Sequence, residues 1–144
     1  MAAGSGARDV MLPVTQTIAT ILNYSDSAAS SGIKVGIIPA NSVILNWHVR
    51  VLTAFNAATT NPITIGTTAT GGEVMAAAAI TGYDTASNTA GYYFGAPVTS
   101  TGWAQFSADQ TIYTSYIPTG TAATAGKSVI VVEYVSLAAN DVVL

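Results

Sequence analysis

The sequence predicts an all-β domain of about eight strands, arranged as an antiparallel β-sandwich, a jelly-roll-like fold or a barrel. Three observations carry this reading. Apolar and polar residues alternate with period two where the chain turns hydrophobic, the alternating runs are short, and Gly, Pro, Asn and Ser bound them. Helix-forming composition is confined to a single stretch, residues 73–80 (EVMAAAAI), which predicts at most one short helix of two turns.

Taken in order, residues 1–12 read as an arm. Gly4, Gly6 and small side chains precede Val10, Met11, Leu12 and Pro13. Such a segment is flexible alone and reaches about 40 Å when extended, enough to cross onto a neighbouring molecule. Residues 13–144 read as one β domain. Strand candidates are 15–23, 33–37, 43–51, 63–66, 91–94, 103–106, 111–117 and 128–135. The turn chemistry between them includes Ser30-Ser31-Gly32, Pro39-Ala40-Asn41, Asn61-Pro62, Gly71-Gly72, Ala96-Pro97, Pro118-Thr119-Gly120 and Ala125-Gly126. In 43–51 the odd positions Val43, Leu45, Trp47, Val49 and Val51 form an apolar face, and Ile44, Asn46, His48 and Arg50 a mixed one. The β-branched run 128–135 (SVIVVEYV) predicts a long strand buried on much of both faces.

The composition narrows the function. With 144 residues, the chain is large enough to bury one core without staples. It has no cysteine, which removes disulfides, thiolate zinc sites and cysteine catalysis. The four basic residues, Arg8, Lys34, Arg50 and Lys127, are scattered among seven acidic ones. That argues against nucleic acid, which demands a clustered cationic face. No run approaches the ~20 apolar residues of a membrane span, and the start lacks the pattern of a secretory signal. The chain therefore reads as soluble and made in the cytoplasm. Half its residues are hydrophobic and 8% are charged, about a third of the usual ~25%. Low charge with high hydrophobicity excludes disorder.

The chemical motifs resolve into structural readings. Residues 120–128 (GTAATAGKS) place five residues, where a P-loop has four, between the first Gly and Gly-Lys-Ser. They then enter a β-branched run instead of a helix, and so read as a turn before a strand. His48 is the single histidine; on the mixed face of its strand it reads as a surface or subunit-contact residue, with general-base chemistry as the alternative. Asp84 and Asp109 are isolated and have no metal-ligand spacing. Asn23-Tyr24-Ser25 matches a glycosylation acceptor by chance. The aromatics Tyr83, Tyr92, Tyr93, Phe94, Trp103, Phe106, Tyr113 and Tyr116 read as core and subunit contacts, with sugar stacking as the alternative. No catalytic, cofactor-binding or metal-ligating set emerges, and no cofactor is expected.

A surface poor in charge and rich in small apolar and hydroxyl side chains points to assembly, because obligate interfaces are depleted in Lys, Glu and Asp. Three stretches carry a resemblance: residues 37–45 (IIPANSVIL), Val49-Arg50-Val51 with Thr53-Ala54-Phe55-Asn56, and residues 63–68 (ITIGTT). With Thr124-Ala125-Gly126-Lys127 before the last strand, they resemble small virion structural proteins of tailed bacteriophages, most nearly capsid decoration (cement) proteins. The resemblance covers about two thirds of the chain. It implies a non-enzymatic β-rich protein, commonly a trimer, seated on the capsid surface where major capsid protein subunits meet. It also implies an arm that ties one subunit to the next, for which Arg8, Asp9, Val10, Met11, Leu12 and Pro13 are the candidate contacts. The rival readings are a tail, neck or small fibre or receptor-binding component, a carbohydrate-binding β-sandwich, and a small hydrolase using His48.

Overall fold

A computed structural model describes residues 14–76 and 90–137. The arm 1–12 and its candidate contacts Arg8, Asp9, Val10, Met11, Leu12 and Pro13 lie outside the described residues, as do Tyr83, Asp84 and positions 77–80 of the expected helix. Seven strands are described: β1 (Thr15–Asn23), β2 (Ile33–Ile38), β3 (Ser42–Thr53), β4 (Ile63–Gly66), β5 (Gly91–Gly95), β6 (Gln110–Tyr116) and β7 (Lys127–Ser136), with a one-turn helix, α1 (Ser100–Trp103). The all-β class is as expected.

The strands form two antiparallel sheets, β1-β7-β3-β5 and β2-β6-β4. Each strand lies in the opposite sheet from those before and after it. The pairings are nested: β1 with β7, β2 with β6 and β3 with β5. Pairing of β3 with β7 and of β4 with β6 completes the sheets. Side chains from both sheets meet in one core, with Leu22, Trp47, Val49, Ile130 and Val132 facing Ile38, Ile63, Ile65, Ile112 and Tyr116, as in a two-layer sandwich.

Three local expectations are corrected. First, residues 73–76 are not helical. Met75 bridges Ile65 on the free edge of β4, its amide donating to the Ile65 carbonyl at 2.8 Å and the Ile65 amide returning the bond at 2.9 Å. The Glu73 carboxylate accepts from the Thr67 amide at 3.0 Å and the Thr68 hydroxyl at 3.2 Å. Backbone pairing with β4 thus overrides the local helix preference of Glu, Val and Met, which is worth only tenths of a kcal/mol per residue.

Second, 103–106 is not a strand. Trp103 ends α1, which Thr99 caps by accepting from the Gly102 amide, and Phe106 then plugs the core from a loop, exchanging backbone bonds with Asn41 and Ser42. Third, β3 changes phase. Its register against β7 shifts between Ile44 and Asn46, a bulge that turns Ile44 inward while Leu45 stays exposed. The apolar face therefore runs Ile44, Trp47, Val49, Val51 instead of keeping to the odd positions, because an extra residue inverts the alternation. In β7 the core face is buried and the outward Val129 and Val131 are half-buried.

Candidate interaction face

The outward face of the four-stranded sheet gathers the side chains with chemistry. Alternation after the bulge sends Asn46, His48, Arg50 and Leu52 of β3 outward, as the mixed face of the sequence implied for the first three. The register sets His48 between Val131 of β7 and Phe94 of β5, and Arg50 between Val129 and Tyr92. Glu133 lies opposite Asn46. Lys127, two positions before Val129, shares this outward parity.

A polar chain crosses the face. Glu133 Oε1 lies 3.3 Å from His48 Nε2, and Asn46 Nδ2 donates to Glu133 Oε2 at 3.4 Å. His48 Nδ1 is hydrogen-bonded to the Tyr92 hydroxyl. The imidazole is stacked on Tyr92, with ring centroids 5.7 Å apart, and Tyr92 on Phe94 at the same separation. These groups are drawn from β3, β5 and β7, so Tyr92 and Glu133 as partners of His48 left no local signal in the sequence. Carboxylate, imidazole and phenol thus lie in a row, but His48 Nε2, although 3.3 Å from Glu133, makes no hydrogen bond, so the row is not a continuous proton relay.

Around it the face is apolar. Tyr92 is 58% exposed, Phe94 68% and Leu52 45%, a concentration of bare apolar area that marks contact surfaces. A groove of about 470 Å³ runs between His48, Arg50 and Leu52 of β3, Tyr92 of β5, and Val129 and Val131 of β7, with Glu133 at its end. A second hollow of about 340 Å³ continues past Arg50, Leu52 and Tyr92 toward Ala90 and Gly91. Among the described residues Arg50 and Lys127 have no carboxylate partner, the one close approach of a carboxylate to a basic side chain being His48–Glu133.

The remaining candidate motifs serve structure. The Asn56 side-chain oxygen Oδ1 accepts from the backbone amides of Thr124 and Ala125 at 2.8 and 2.9 Å, which occupies donors that a phosphate loop would offer, and Lys127 opens β7. Asn23 Nδ2 donates to the Asp26 carboxylate at 3.3 Å. Asp109 caps the β2–β3 turn by accepting from the Ala40 amide at 2.9 Å, beside Asn41 at φ 60°. The aromatics divide. Phe106 and Tyr116 are buried, Tyr93 and Tyr113 half-buried, and Tyr92, Phe94 and Trp103 exposed. Trp103 stands on α1, apart from the β5 pair. No group of three or more potential metal ligands occurs among the described residues, and no helix among them is long and apolar enough to cross a membrane.

No protein-family model matches the chain, and no curated protein matches it. Among solved structures, a chain in the capsid asymmetric unit of cyanophage Pam1 is similar with a TM-score of 0.61 at 11% identity, over 94% of this chain and 91% of that one. A chain in the acid-stable capsid of Helicobacter pylori bacteriophage KHP30 gives 0.56 at 10% identity, over 85% and 87%. One in the capsid of Ralstonia phage GP4 gives 0.48 at 16% identity, over 88% and 85%. At these identities what is shared is the fold, and with the Pam1 and KHP30 chains it is shared across nearly the full length of both partners.

Proposed function

We propose that this chain is a non-enzymatic structural protein of a tailed-phage virion, acting as a decoration (cement) protein on the outer surface of the head. The observation that carries the reading is the near full-length fold likeness to chains from two phage capsids. Strand order supports it. Nested pairs β1–β7, β2–β6 and β3–β5, with the Ile65–Met75 bridge on the outer edge of β4, follow the path of a rolled-up hairpin, the jelly roll common in viral capsid proteins. The apolar outward face supplies contact area, and a charged fraction of 8% suits a surface covered by neighbours.

In this reading the protein is a trimer at a local threefold site, so that symmetric copies repeat the same contacts with the major capsid protein. The arm, through Arg8 to Pro13, ties one subunit to the next. Many weak contacts repeated over a lattice resist DNA pressure by avidity.

A particle reconstruction tests the location. Density on the outer shell where capsid subunits meet is expected, and density at the tail or neck overturns the decoration role. Particles carrying a copy without residues 1–12 should release DNA at lower temperature; unchanged release removes the arm from the account. The exposed Tyr92–Phe94 stack favours a second reading, carbohydrate binding, for which glycan-array binding lost in Tyr92→Ala is the test.

A further inference from the structure

The outward face of the four-stranded sheet has an unbalanced charge distribution. Its one acid among the described residues, Glu133, accepts from Asn46 at 3.4 Å and lies 3.3 Å from His48 Nε2. Its cations are not engaged by any described residue. Arg50 and Lys127, two of the four basic residues of a chain with net charge −3, lie on the same outward face, Arg50 lining the groove, and have no acidic partner among the described residues. Arg50 pairs in register with Val129, two residues from Lys127. Arg50 is exposed, and its guanidinium, beside Leu52, Tyr92 and Val129, is open to a carboxylate bound in fork geometry.

We propose that this groove is a docking site for an extended apolar segment of a partner protein bearing an acidic side chain. The segment's aliphatic residues lie against Leu52, Val131 and Tyr92, and its carboxylate is held by Arg50, with Lys127 reinforcing the field. The proposal rests on the virion reading, which makes the partner a neighbouring shell protein. The His48, Glu133 and Tyr92 side chains form one wall of the groove, with Glu133 at the end away from Lys127.

Two measurements test the site. In the first, purified protein is added to particles lacking it and co-sedimentation is measured. Arg50→Glu should weaken binding by about tenfold or more, as expected for losing one charge-assisted contact, while Lys34→Glu, the same charge change on the other sheet, should leave binding as in wild type. Equal binding by wild type and Arg50→Glu, or equal loss in both variants, overturns the site. Failure of the wild type to bind overturns the virion reading instead.

The second measurement needs no particle. The peptide acetyl-Val-Asp-Val-Leu-amide is titrated into the protein and followed by NMR. It should shift the resonances of Arg50, Leu52 and Val131, and its Asn counterpart should bind about tenfold more weakly. Absence of shifts at the groove, or equal binding of both peptides, overturns the carboxylate site whatever the fate of the virion reading.

Discussion

The Tyr116 hydroxyl donates to the Asn61 side-chain oxygen at 2.7 Å, and both residues are buried. Asn61 also accepts from the Ala57 amide at 2.8 Å and donates to the Ala57 carbonyl at 3.1 Å, so a loop before β4 is locked to β6. Burial, opposed in part by the Ala57 amide, pushes the Tyr116 phenol up to about 12. Because the folded value lies above the ordinary value of 10.0, the neutral phenol favours the fold fully below pH 10, and this contribution is lost as the pH rises toward 12. Chemical denaturation from pH 8 to 12 should show the wild type losing more stability than Tyr116→Phe. At neutral pH the substitution should cost about 1 kcal/mol, the loss of one hydrogen bond.

Gly126 precedes β7 at φ 148°. A Cβ there would enter the Phe55 ring, which is 1% exposed. Gly126→Ala should therefore destabilise by about 2 kcal/mol through backbone strain and overpacking together, read as a drop in melting temperature.

The bulge in β3 predicts unequal tolerance at adjacent positions. Ile44→Thr places a hydroxyl in the core and should cost about 2 kcal/mol. Leu45→Thr on the outward side should stay within about 0.5 kcal/mol. Unfolding midpoints in urea compare them directly, and the opposite ranking would return β3 to unbroken alternation.

Glu73 closes the loop after β4 through Thr67 and Thr68. Glu73→Ala should cost about 1–2 kcal/mol and raise amide exchange at Thr67 before it affects Val49 or Ile130 in the core.

The fold was legible where a run of residues answers to its own pattern. Residues 15–23 and 63–66 match β1 and β4 residue for residue, because alternation and flanking turn chemistry are both local. It was not legible where a distant strand decides. The phase of Val43 to Leu45 is set by pairing with β7, and the conformation of residues 73–75 by the Ile65 backbone. Residues 103–106 show the same limit, since Trp103 and Phe106 satisfy different neighbours while sharing an apolar spacing. The interaction face was half legible. Asn46, His48 and Arg50 share one side by simple alternation, whereas Tyr92 reaches His48 from 44 residues away, through a strand order that local sequence does not encode.

The nested strand order bears on how the chain is made. The first strand described, β1, takes its hydrogen-bonded neighbour from the last, β7, and β3 takes both of its neighbours from later in the chain. During synthesis β1 and β3 leave the ribosome well before their partners exist, and the innermost pairs close first. Contacts so distant in sequence slow folding and lengthen the interval in which unpaired edges are exposed. The sheet β1-β7-β3-β5 can be completed only after residues 127–136 have emerged, so the docking groove on its surface, built from β3, β5 and β7, is withheld until the domain is whole.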